Sequence, residues 1–316
     1  APRPAGQPAD VQRELERVRA ELTDRVRQVL VRAEEIDDAL EAVLARVAED
    51  RLGDGGATSL TAAADAGAAM GVEKPPIPGA PPAPPVDAGA GKHGMDPWYT
   101  RVDDYVTKAL ATDAAAAADS IGWTHAAKNL EHYLNNSGDD ARVDPNAMMR
   151  DAPGFHGQVD KTTAGELRRI ADEAAANGTY GKPVQFSTGW KGYYIGPEES
   201  KDWYYAMGGV QYSVTGVAVV HPPEQPGGQP RVEMDYQTHV FDRYNWDGGK
   251  QTQIGPITIT DEKMAEMHRA GVAQEYNISG STETRHYGSE LPPPGQQPSL
   301  PPPPDDRTGT RTDPGR

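Results

Sequence analysis

The sequence predicts an α+β domain: a helical N-terminal part followed by a twisted antiparallel sheet or partial barrel. Three observations carry this. The text from residue 98 to Asn177 places apolar side chains at helical spacing. From Val184 onward, short runs rich in β-branched and aromatic residues are separated by turn signals. Most of the aromatic residues fall between 98 and 287, while Ala, Gly and Pro dominate much of the flanking text.

The elements follow in order. Val11, Leu15, Val18, Leu22, Val26, Val29, Ala33, Ile36, Leu40, Val43 and Val47 recur at steps of three and four, which puts them on one stripe of a long amphipathic helix over 10–52. Asp10 is placed to cap it and Gly53 to stop it. Such a stripe must be covered, so the helix is expected to serve assembly, a coiled coil or an export partner. Residues 53–97, rich in Gly, Ala and Pro, are expected to be a semi-extended linker. The globular domain spans 98–287. Its expected helices are Tyr99–Ala118, Ile121–Leu134, Thr163–Asn177 and Asp261–Ala273, with a turn at Asp144-Pro145. Its expected strands are Val184–Phe186, Gly192–Ile195, Trp203–Met207, Val210–Val220, Arg231–Tyr244 and Ile257–Ile259. Residues 288–316, with Pro292–Pro294 and Pro301–Pro304, are expected to be a disordered tail.

Composition removes several functional classes. The chain of 316 residues has no cysteine, which excludes disulfides, thiolate zinc sites and cysteine catalysis. A formal charge of −16 disfavours sequence-independent binding to nucleic acid, which depends on Lys and Arg against phosphates. No apolar run is long enough for a transmembrane segment, and Ala1–Gly6 has no apolar signal core. Without a leading Met, the chain reads as processed or trimmed.

The densest polar and aromatic cluster is His239-Val240-Phe241-Asp242-Arg243-Tyr244-Asn245-Trp246-Asp247-Gly248-Gly249-Lys250. It leaves a strand and enters a Gly-Gly turn, where functional residues concentrate. Asp242 and Asp247 are candidate ligands for a hard cation such as Mg²⁺, which prefers carboxylate oxygens. His239 and Tyr244 are candidate proton carriers. A purely structural reading also fits, in which Asp caps the turn while Tyr and Trp pack the sheet. The aromatic set Trp190, Tyr193, Tyr194, Trp203, Tyr204 and Tyr205 suits either a sheet core or a groove for a lipid or glycan.

Over about residues 125–287 the sequence resembles the colicin M-like, lipid II-degrading bacteriocins. The matching features are collinear: His132-Tyr133-Leu134, Asn136-Ser137-Gly138, Val143-Asp144-Pro145-Asn146, Ala206 to Gly216, Asp242-Arg243-Tyr244-Asn245, Arg269-Ala270-Gly271 and Gln274-Glu275-Tyr276. The resemblance implies Mg²⁺-dependent hydrolysis of a polyprenyl-pyrophosphate peptidoglycan precursor. It also implies a toxin secreted or delivered to the envelope of a target bacterium, cytoplasmic before export, with an immunity protein as partner. In that family the motif reads Asp-x-Tyr-Asp, five residues, then His-Arg. Asp242 and Tyr244 match; Asn245 replaces the second Asp; Gln251 and Thr252 stand at the His and Arg positions. Asn245 keeps an oxygen but loses a charge, and the missing His removes the natural general acid–base near neutral pH. Asp247, His268 with Arg269, and His239 are the candidates to compensate. The implied roles are Asp242 and Asp247 on the metal, Tyr244 on a phosphate oxygen, and Asp247 or a nearby histidine such as His268 moving protons. The alternative is a secreted binding or assembly module that keeps the fold without the catalytic His-Arg pair.

Overall fold

A computed structural model describes residues 74–85, 89–96, 101–246, 251–254 and 257–304. The expected helix over 10–52, most of the expected linker and the end of the tail lie outside the described residues. The elements discussed below, β6 and β7 apart, lie in one compact unit made of 69–252 and 259–316.

The described part is α+β. Helices α1 (Arg101–Ser120) and α2 (Thr124–Leu134) come first, then strand β1 (Ala141–Arg142) and helices α3 (Pro145–Asp151) and α4 (Pro153–Asn177). Strands β2 (Pro183–Ser187) and β3 (Lys191–Tyr194) precede helix α5 (Lys201–Ala206) and the long strands β4 (Gly209–His221) and β5 (Arg231–Tyr244). Strands β6 (Gln251–Ile254) and β7 (Ile257–Thr260) pair only with each other. Helix α6 (Asp261–Ala270) and strands β8 (Tyr276–Ser281) and β9 (Arg285–Glu290) complete the set.

Seven strands form one open sheet in the order β1-β8-β5-β4-β2, with β3 beside β2 on β4 and β9 beside β8 on β5. All pairs are antiparallel except β1 with β8, which is parallel. The expected antiparallel sheet is present and open rather than a barrel, with one parallel pair because β1 arrives from α2 rather than from a hairpin. β1 is only two residues long, too short to be read from sequence.

One face of the sheet packs on α4. Phe155, Val159, Leu167, Ile170 and Ala174 of that helix meet Tyr212, Val214, Ala218, Met234, Tyr236 and Val240. Helix α4 is longer than expected because Pro153 opens it at its first turn and Gly178, at φ 62°, closes it. Asp144 caps α3 by accepting from the N–H groups of Asn146 (2.9 Å) and Ala147 (3.2 Å).

One expected strand is a helix, and the expected helix α1 keeps its type but turns Tyr105 outward. Trp203–Met207 is not a strand: Lys201–Ala206 is helical, capped by Ser200 Oγ on the Trp203 N–H, with Trp203 and Ala206 buried one turn apart. The aromatic triplet carries high strand propensity, but burial on one helical face overrides it. In α1 the buried face is Asp104, Ala111, Ala114, Ala115 and Ala118, and Tyr105 points outward. Small residues win there because α1 packs closely on α2 and α6.

The Pro-rich flanks also behave differently where they are described. Residues 74–85 are extended and lie against the second face of the sheet. This explains why Ser213, Thr215, Val217 and Val219, on the side of β4 away from α4, are all buried. Part of the expected tail, Gly288–Glu290, belongs to β9. Beyond it Leu291 and Leu300 are buried, and Arg168 and Arg150 donate to the carbonyls of Pro292 (2.5 Å) and Pro304 (2.7 Å). Guanidinium donors on its carbonyls hold a chain that has few N–H groups of its own.

Candidate functional site

At the ends of β3, β4 and β5 the sheet opens into a cleft of about 700 Å³. One wall is aromatic: Tyr193 and Tyr194 from β3, Tyr204 and Tyr205 from α5. Tyr204 stands edge-on to Tyr205 (4.8 Å between centroids) and to Tyr194 (6.1 Å), and Tyr194 is 55% exposed. Helix α5 makes this wall possible. With Trp203 and Ala206 turned inward, Tyr204 and Tyr205 face the opening. The other wall is the end of β5, with Phe241, Asp242, Arg243, Tyr244, Asn245 and Trp246, and Asp261 at the start of α6. Gln211 and the backbone of Gly208 and Gly209 form part of the floor.

The structure thus brings Asp242, Tyr244 and Asn245 to one cleft. They do not play equal parts. Asp242 and Asn245 are half-buried at its edge. Tyr244 is 7% exposed and stacks on Tyr276 (5.2 Å, 24°), with Trp246 edge-on (5.6 Å) and Tyr133 nearby (5.9 Å). Burial, and then the Asp242 carboxylate, hold its phenol well above the usual range, so Tyr244 stays neutral. Asp247 lies outside the described residues.

Neither candidate histidine lines the cleft. His268 is 3% exposed: its Nδ1 accepts the Glu275 N–H (3.1 Å) and its Nε2 reaches the Gly91 carbonyl (3.0 Å). Those partners fix a neutral ring with the proton on Nε2. His239 sits on the second face, with Nδ1 on Ser281 Oγ (2.7 Å) and Nε2 on Thr215 Oγ1 (2.8 Å). Burial holds both imidazoles below their usual pKa. A group whose folded pKa is depressed stabilises the fold above its unfolded value, about 6.5 for His, and that contribution is lost as pH falls through the folded value. The urea midpoint is therefore expected to drop between pH 7.5 and 5.5, less steeply in His239→Asn. A midpoint that stays flat over this range would contradict neutral, buried rings.

A residue given no role in the sequence reading organises the β5 end. The Glu275 carboxylate is fully buried; its Oε1 accepts the N–H groups of Ala90 (2.9 Å) and Trp246 (3.1 Å), and its Oε2 pairs with Arg243 (3.3 Å). One carboxylate thus ties together residues 89–96, the turn after β5 and Arg243 beside Asp242. Two histidines of α2 serve packing and capping. His125 stacks on Trp203 (4.0 Å) and pairs with Asp202 (2.7 Å), which also accepts the N–H of Ala126 (2.7 Å) and so caps α2 from α5. Burial opposes the charge on Asp202, but His125 and these amides outweigh it and lower its pKa. His132 binds the Asp139 carbonyl (2.8 Å).

Among the described residues no three or more acidic or imidazole side chains gather as a metal-binding group. No helix there is long and apolar enough to cross a membrane.

No protein-family model and no curated protein matches the chain. Among solved structures it is similar to PaeM, a colicin M-like bacteriocin produced by Pseudomonas aeruginosa, at 16% identity and a TM-score of 0.28. That alignment covers 52% of this chain and 50% of PaeM, so the chain matches half the length of that protein.

Proposed function

We propose that the chain is a bacteriocin-like protein whose α+β domain binds a glycan-bearing, lipid-linked cell-wall precursor in the β3–β4–β5 cleft. The observation that carries this reading is the lining: four tyrosines along one wall, facing Asp242, Asn245 and Gln211 in an open cleft of about 700 Å³. A cleft of that size, lined by aromatic rings and a larger share of polar surface, suits a saccharide ligand. Sugar rings offer apolar faces to tyrosine rings and hydroxyls to carboxylates and amides. Arg243 is the cation at hand for a phosphate oxygen, though Glu275 shares its charge. The ligand class comes from the sequence resemblance over 125–287; the mode of binding comes from the cleft. Delivery to the envelope of a target bacterium and a cognate immunity protein belong to the same proposal.

The rival reading is a Mg²⁺-dependent hydrolase of that precursor. Asp242 and Asp261 both line the cleft, which favours it. The described residues do not assemble a ligand set for the cation. The described proton carriers are also poorly placed, since His268 is buried away from the cleft and Tyr244 is nearly covered by its stack on Tyr276.

The test is equilibrium binding of lipid II in detergent micelles to the full chain. Tyr204→Ala is expected to weaken binding about tenfold, the equivalent of 1.4 kcal/mol of stacking and contact area. Asp242→Ala is expected to weaken it by a similar factor. No saturable binding by the parent, or affinities unmoved by both substitutions, would remove the cleft as the binding site.

A further inference from the structure

Residues 74–85 read Lys-Pro-Pro-Ile-Pro-Gly-Ala-Pro-Pro-Ala-Pro-Pro. Seven of these twelve are proline, so the segment has few N–H groups and cannot join the sheet as a strand. It is nevertheless held at several points along its length. The Lys74 ammonium meets Asp235 on β5 at 3.0 Å. Gln185 Nε2 donates to the Pro76 carbonyl (2.7 Å), Thr215 Oγ1 to that of Pro78 (2.6 Å) and Trp190 Nε1 to that of Pro82 (2.7 Å). Apart from the Lys74 pair, these bonds run from a side chain of the sheet region to a backbone carbonyl of the segment. Burial along it has a three-residue period: Pro75, Pro78, Pro81 and Pro84 are half-buried, while Pro76, Gly79, Pro82 and Pro85 are exposed. Three residues per turn is the repeat of a polyproline II helix, and side-chain donors against its free carbonyls, an indole N–H among them, are how such helices are read.

We infer that this sheet face, built on Gln185, Trp190, Thr215 and Asp235, is a receptor for proline-rich peptide in the polyproline II form, filled in this chain by its own residues 75–85. Thr215 is set for the task from beneath. Its hydroxyl donates to Pro78, so it accepts from His239 Nε2, whose Nδ1 in turn accepts from Ser281. This relay points one donor at the segment from a fixed position. The partner in trans is a proline-rich peptide with the same three-residue repeat and a cation at its N-terminal end to meet Asp235. The inference does not depend on what the cleft binds. Pro84 and Pro85 also line that cleft, so a peptide that displaced the segment would alter its mouth.

The experiment uses the full chain carrying Pro75→Ser, Pro78→Ser, Pro81→Ser and Pro84→Ser together, titrated with a synthetic peptide of residues 74–85. The expected result is saturable binding that shifts the Trp190 indole resonance, with at least tenfold weaker binding to the parent, whose receptor is filled at high effective concentration. Adding Trp190→Phe to the substituted chain is expected to weaken the peptide at least tenfold. A folded substituted chain that ignores the peptide, or a parent that binds it equally well, would overturn the inference. A second measurement stands apart from that variant. In Trp190→Phe with Thr215→Val, the amides of Ile77, Gly79, Ala80 and Ala83 should gain fast motion in ¹⁵N relaxation. Unchanged relaxation there would also overturn it.

Discussion

Glu275→Ala is expected to cost about 3–5 kcal/mol of stability, the usual penalty for removing one partner of a buried, hydrogen-bonded ion pair. The carboxylate is fully buried and holds Ala90, Trp246 and Arg243 at once. Its loss strands two backbone N–H groups and leaves the Arg243 guanidinium, only a quarter exposed, without its carboxylate. For a domain of this size that corresponds to a fall in Tm of roughly 10 °C. Glu275→Gln keeps an acceptor for the two amides and loses only the charge, so it should cost about 1–2 kcal/mol. The ordering matters more than either value. An alanine variant no worse than the glutamine one would show that Glu275 does not tie these segments together. Because Trp246 and Arg243 line the cleft, lipid II binding should weaken along with stability in Glu275→Ala.

Gly280→Ala is the second large effect. Gly280 lies on β8 where β1 and the chain after it run alongside. A Cβ there would overlap the Val143 carbonyl oxygen and sit 2.9 Å from its carbon. Both are backbone atoms that cannot rotate away, and Val143 is itself held by its N–H on the Ser279 carbonyl (3.1 Å). The parallel β1–β8 pair must separate or the strand must bend. Overpacking of this kind costs about 3 kcal/mol, a shift of roughly 6–12 °C in Tm. Gly157, which meets nothing within 4 Å, is the matched control. On α4, Gly157→Ala should be neutral or slightly stabilising. Thermal melts of the two variants check the claim, and equal Tm values would contradict the close β1–β8 approach.

Much of this fold was legible because local pattern and tertiary role agreed. The long runs Val210–Val220 and Arg231–Tyr244 became β4 and β5, and Gly178 ended α4 where a left-handed residue was needed. Legibility failed where a long-range contact outweighed propensity. Trp203-Tyr204-Tyr205 reads as strand, yet the Ser200 cap and the inward pull of Trp203 make it a helix. Strand β8, Tyr276–Ser281, has only Tyr276 and Ile278 as bulky inward residues before Gly280 takes the next inward place, too little apolar signal to stand out. In the site, Asp242, Tyr244 and Asn245 could be located from one contiguous motif. Glu275 could not, because its partners lie 29, 32 and 185 residues away in sequence. Prolines at 75–85 suggested a spacer because nothing in their spelling shows that three carbonyls meet side-chain donors.

Incubating the full chain with lipid II and Mg²⁺, while following both complex formation and release of the free polyprenol, separates a binding cleft from a hydrolytic one. With His268 buried away from the cleft, Tyr244 only 7% exposed and stacked on Tyr276, and an aromatic wall facing Asp242, the expected result is a saturable complex and no polyprenol above the protein-free control. Release of polyprenol that stops in Asp242→Ala would contradict it and establish the cleft as a hydrolytic centre.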